Sequence, residues 1–203
     1  MPVSWPPITD YVTGLTTATR WNYALGQLIK AYIDDRDQSE YVTVSNRTGA
    51  PIAAGKAVYI IGAHGDRPEV ALADASSEAT AATTFGITAE TIANNGQGSV
   101  VTTGLLTGID TNHLTQGALV WLSETAGELT STRPTQPAHG VFMGLCVKQS
   151  PGGSGILYVS VVNGQELDEL HDVRITSPAA GQVLVRNGTN TLWINGTTTA
   201  VWG

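Results

Sequence analysis

The sequence predicts a mainly β fold: a duplicated β-sandwich or barrel with a short N-terminal helix and a small C-terminal β-hairpin region. Three observations lead there. Between residues 41 and 164, short runs rich in Val, Ile, Thr and Tyr are punctuated by Gly, Asn and Pro at intervals of roughly ten residues, the pattern of an all-β domain. Landmarks inside that stretch recur in the same order. The residues before and after it follow different patterns, one helical and one of short strands around turn signals.

The N-terminal segment, 1–40, opens on a Pro-punctuated stretch. From 17 to 35, Trp21, Leu25, Leu28 and Tyr32 stand at the 4-3-4 spacing of a helical seam, widened by Ile29 and Ile33. Thr16 or Thr17 can cap the start, whereas Asp34, Asp35 and Asp37 oppose the helix dipole at the end. Two heptads are too short to stand alone, so the seam needs a surface to pack on, from its own chain or from symmetry copies. This makes the segment a candidate for attachment or trimerisation.

In the segment 41–164 the pattern predicts strands at 41–46, 57–62, 69–72, 84–89, 98–104, 118–123, 140–148 and 155–162. Gly55, Glu69, Phe85 and Gly98, each opening a short Val- or Ile-bearing run, are followed by Gly117, Glu128, Met143 and Gly155 in the same role. The separations are 62, 59, 58 and 57 residues. Four landmarks in one order at nearly one spacing indicate a tandem duplication, each copy supplying half of one sandwich or barrel.

The last segment, 165–203, reads as a linker followed by strands at 172–176, 182–186 and 191–195, with a turn at 177–181 and a tight turn at Asn187-Gly188-Thr189. A lone hairpin is marginal in water. Val183, Leu184 and Trp193 therefore join Trp21, Leu25, Leu28 and Tyr32 as candidate oligomer or attachment residues.

The composition narrows the function classes. Only 13% of residues are charged against 41% hydrophobic, so Thr, Ser, Asn, Gln and Gly must cover much of the surface. The net charge of −7, with basic residues scattered singly, argues against a nucleic-acid partner. Cys146 is the single cysteine, which excludes an intrachain disulfide and a cysteine-based zinc cage within one chain. The start has no basic, apolar-run pattern of a secretion signal, and no apolar run approaches a membrane span. The expectation is a protein made in a cytosol, with no membrane partner.

Chemistry-bearing constellations are sparse. His64, His113, His139 and His171 lie far apart, and His64 with Asp66 and His171 with Asp172 read as surface turns rather than catalytic or metal pairs. Ser154, flanked by Gly152, Gly153 and Gly155, lacks the spacing and the following helix of a nucleophile elbow. No acid pair is framed by aromatics as in a glycosidase cleft. The expectation is a non-enzymatic protein with no metal and no cofactor.

The tail contains Leu170-His171-Asp172-Val173, Ser177-Pro178, Gly181-Gln182-Val183-Leu184, Asn187-Gly188 and Trp193-Ile194-Asn195. In this order they resemble a segment common in bacteriophage tail fibres and related virion proteins. The central block is similar to the same class through 46–59, 67–75, 87–96 and 129–134. The resemblance implies a homotrimeric, non-enzymatic virion protein, assembled in the host cytoplasm, whose partners are copies of itself and the major capsid or tail proteins. Tail fibres continue into long shafts and a receptor-binding tip, whereas this chain ends eight residues past the motif. That length suits a capsid decoration (cement) protein or a short head or tail fibre. The alternative is a receptor- or carbohydrate-binding fibre module that contacts a host-surface glycan through exposed Trp and the loops near His64, Asn94, Asn95 and 134–140.

Overall fold

The computed structural model describes residues 25–29, 39–164, 166–189 and 191–197. The chain divides into two compact units, Met1–Val162 and Asn163–Gly203. Both are built on β-sheets, as the sequence predicts.

In the first unit, residues 25–29 are helical. Nine strands follow: β1(Ser39–Asn46), β2(Ala57–His64), β3(Arg67–Leu72), β4(Thr84–Thr88), β5(Gln97–Ile109), β6(Leu119–Leu122), β7(Leu129–Thr130), β8(Phe142–Lys148) and β9(Gly155–Val162), joined in the order β1-β3-β2-β4-β5-β9-β8-β6-β7. Strand β1 pairs with β3 in parallel and with β5 in antiparallel fashion. The first five strands therefore close into a ring, which leaves no free edge among them.

The register demonstrates the duplication. Ala57, Val58 and Tyr59 on β2 face Ile87, Gly86 and Thr84 on β4, with a bulge after Val58. Leu119, Val120 and Trp121 on β6 face Leu145, Gly144 and Phe142 on β8, with a bulge after Val120. Ile87 and Thr88 then face Val101 and Val100, just as Leu145 and Cys146 face Tyr158 and Leu157. The equivalence extends to β1, whose partner Val101 at Tyr41 matches Tyr158 at Leu105 on β5. Strand β5 is thus the last strand of the first repeat and the first strand of the second. The sequence places its end at 104; it runs on to Ile109, and this second half of the strand pairs with β9 of the second repeat.

Glycines explain why both copies keep the same backbone. A Cβ on Gly86 would lie 2.4 Å from the carbonyl oxygen of Val101, and one on Gly144 would lie 1.9 Å from that of Tyr158. Any side chain at either position would force the neighbouring strand away. Gly55 and Gly117 take positive φ, 77° and 79°, and their N–H groups donate to the carbonyls of Thr88 and Cys146 at 2.8 and 2.7 Å.

Two apolar clusters fill the unit. The smaller lies within the first ring and comprises Val44, Ile52, Val58, Val70, Ile92 and Val100. The larger contains the second repeat's Leu106, Ile109, Leu114, Val120, Leu129, Met143 and Leu157 together with Ala57, Ala73, Ala75, Ile87 and Val101 of the first. Small residues at that junction let backbones meet: Ala57 N–H donates to Gly127 O (3.0 Å), Gly127 N–H to Ala73 O (2.7 Å), and Ala75 N–H to Ser123 O (2.8 Å). Lys56 and Glu128 form an ion pair across it.

The second unit holds β10(Val173–Arg174), β11(Gln182–Arg186) and β12(Trp193–Thr197) in the order β10-β12-β11. The hairpin differs from expectation. Neither Asn187 nor Gly188 has positive φ, and the Asn187 side-chain oxygen instead accepts from the N–H groups of Thr191 (2.9 Å) and Leu192 (3.2 Å). That carbonyl competes with the tight turn and closes a wider loop.

Asn46 is fully buried, and its amide donates to the carbonyls of Ala50 (2.8 Å) and Ile92 (2.9 Å) while its oxygen accepts from Thr48 N–H (3.1 Å). Its neighbour Ser45 has a buried hydroxyl without a partner. Asn46→Ala should therefore destabilise the unit by about 2–4 kcal/mol by stranding several groups, whereas Ser45→Ala should leave stability unchanged or raise it. Urea unfolding of the two variants beside the parent checks this; equal losses would contradict it.

Candidate functional site

The side chains with the greatest chemical potential are dispersed and engaged locally. His64 lies 2.8 Å from the Arg47 guanidinium, and His139 Nδ1 lies 3.0 Å from Glu78 Oε2. Asp110 accepts from Asn112 N–H at 2.9 Å, a bond that holds its carboxyl below the usual range. Among the described residues no group of three or more His, Cys, Asp or Glu converges as metal ligands would. Ser154 ends a short 3-10 turn, Gly152–Ser154, directly before β9. Cys146 is buried in the larger cluster, where loss of solvent pushes its thiol up from the ordinary value.

What stands out instead is uncovered apolar surface. Of the residues read as oligomer or attachment candidates, Leu25 and Leu28 are exposed on the helical stretch 25–29, as is Ile29 beside them. Trp21 and Tyr32, the outer members of that seam, lie outside the described residues. Val183, Leu184 and Trp193 are exposed on the small sheet. Its register sets Val183 and Val185 on one face, and Leu184 and Trp193 on the other. Both faces of this sheet therefore carry exposed apolar side chains. The Arg186 guanidinium lies 5.3 Å from the centre of the Trp193 ring, covering part of it.

An open groove of about 420 Å³ on the small sheet is lined by Arg174, Thr176, Gln182, Asn187, Ile194 and Asn195. Asn195 is its organising residue. Its amide donates to Thr176 O (2.9 Å) and Gln182 Oε1 (2.7 Å), and its oxygen accepts from Thr176 N–H (2.9 Å). Thr176, Gln182 and Asn195 thus converge on one bonded cluster, in which Gln182 and Asn195 tie the Ser-Pro turn region to the last strand.

Sequence reasoning missed a third surface, on β6, β8 and β9. Leu119, Leu145, Val147, Tyr158 and Val162 are all exposed there. The signal was present: β8 and β9 are apolar at consecutive positions instead of alternating, the pattern of strands covered on both faces. Trp121 sits on the same strand as Leu119, but its ring is occupied, with Phe142 edge-on at 5.6 Å and Arg133 across it at 5.1 Å.

Against known proteins, no family model matches the chain, and no curated protein matches it. The functional reading rests on its own residues.

The buried thiol yields a direct check. At neutral pH Cys146 should react with a disulfide reagent only on the timescale of unfolding and completely in denaturant. Fast labelling of the native chain would contradict its place in the core.

Proposed function

We propose that this chain is a non-enzymatic structural subunit of a bacteriophage particle, a homotrimer that serves as a capsid decoration protein or a short head or tail fibre and binds other virion proteins. The observation that carries the reading is the run of tail residues from Leu170 to Asn195, which resembles the virion-protein segment and folds into a small sheet with exposed apolar side chains on both faces. A three-stranded sheet this small has no second layer of its own among the described residues of its unit. Surfaces of this kind favour permanent partners. The low charge density points the same way, since a permanently assembled subunit has less need of the charge that keeps free proteins apart.

In this reading Leu25, Leu28, Val183, Leu184 and Trp193 contribute contacts within the trimer or to the capsid or tail. The groove around Asn195, lined by the polar side chains of Arg174, Thr176, Gln182 and Asn187, favours a second reading as a glycan-binding fibre module. Binding of the purified chain to host-surface saccharides distinguishes the two.

The proposal predicts that the chain is found in purified virions and that its copy number identifies its place: hundreds per particle for capsid decoration, a handful for a tail appendage. Quantitative mass spectrometry of particles reads this. Absence from intact particles would refute the reading.

A further inference from the structure

The two repeats share one backbone plan, yet their equivalent surfaces differ in what covers them. In the first repeat, Ala57, Ile87 and Val101 form a row across β2, β4 and β5. All three are 0% exposed and belong to the cluster of the second repeat. The same register in the second repeat aligns Leu119, Leu145 and Tyr158 across β6, β8 and β9. These are 49%, 38% and 43% exposed. The uncovered row carries the larger side chains, with Leu for Ala, Leu for Ile and Tyr for Val. An exposed face would not ordinarily gain apolar bulk.

The receiving side of the junction shows the opposite asymmetry. Leu122, paired with Leu129 at the end of β6, is 0% exposed within the shared cluster, and the next residue, Ser123, accepts from Ala75 N–H of the first repeat. Its equivalent in the first repeat is Ile60, paired with Val70, and it is 37% exposed with Ile61 beside it at 45%. At the junction between them, the row of the first repeat is covered by the second repeat, and the end of the second is seated against the first. Among the described residues of one chain a single such junction is used. The row of the second repeat and the Ile60 end of the first are left over, and they are the two halves of the same junction.

We propose that the Leu119, Leu145 and Tyr158 row is the docking surface for a second copy of this chain, which seats the Ile60 end of its first repeat there, head to tail. Such a contact uses two different patches and closes into a ring when the rotation between copies allows. In a trimeric ring, intrachain and interchain junctions would alternate around the axis. The inference stands on the duplication and does not require the virion reading, and its test uses the purified chain without particles.

The test reads the row directly. In a Cys146→Ala background, Leu145→Cys places a thiol on the row, and its labelling rate is followed with concentration. The expected result is slow labelling where the chain is associated and labelling faster by about an order of magnitude on dilution to monomer. Adding Ile60→Glu to the same chain should give the fast rate at every concentration, with the thermal unfolding of the β domain retained. Should Ile60→Glu lower that unfolding temperature, Ile60→Ser takes its place. Fast labelling at all concentrations overturns the proposal, as an uncovered row would show. Slow labelling that survives dilution to monomer also overturns it, because a segment of the same chain would then be the cover. Labelling unaffected by the change at Ile60 overturns the head-to-tail arrangement.

Discussion

Strand β5 is the constraint on which the larger unit depends. One of its edges runs beside β1 from Gln97 to Gly104, and it meets β4 at Val100 and Val101 and β9 from Thr103 onward. Positive φ at Gly104 and Gly108 lets the strand change direction where the partners change. Because both repeats share the same thirteen-residue strand, neither repeat can be removed without taking an edge from the other. The junction of Ala57, Ala73, Ala75 and Gly127 adds to this: residues that small permit backbone hydrogen bonds where larger side chains would hold the repeats apart.

This economy sets the division between buried and exposed. A ring with only six fully enclosed apolar residues is a small core for a free domain, and its outer row finds the rest of its burial under the second repeat. Among the described residues no third repeat follows the second. Its row is therefore the natural place for the apolar surface to remain, and the absence of clustered ionisable chemistry among the described residues leaves surface, rather than a cleft, as the feature from which function is argued.

Much of the β domain could be read in the sequence because duplication leaves marks that local pattern preserves: Gly55 and Gly117 before their strands, Gly86 and Gly144 where a neighbouring strand crosses. The sharing of β5 could not. Thr102, Thr103 and Gly104 read as an ending, and the continuation through Leu105 and Leu106 becomes visible only when β9 supplies its partner. The two-residue β7 was seen as a landmark at Glu128 but not as a strand, since so short a run has no period of its own. The exposure of Leu119, Leu145 and Tyr158 could not be read, because strand alternation cannot tell an inner face from an outer face awaiting a partner. Asn187-Gly188 was read as a tight turn, and the reach of one side-chain carbonyl to Thr191 and Leu192 decided otherwise.

The account's central claim is that the repeats form one cooperative unit through β5. Native-state hydrogen exchange measures this most directly, comparing amides of β2 and β4 with those of β6 and β8. The account predicts that the slowest amides of both sets open with one common free energy and respond together to added denaturant. Two separate plateaus, with one repeat remaining protected after the other has opened, would contradict it.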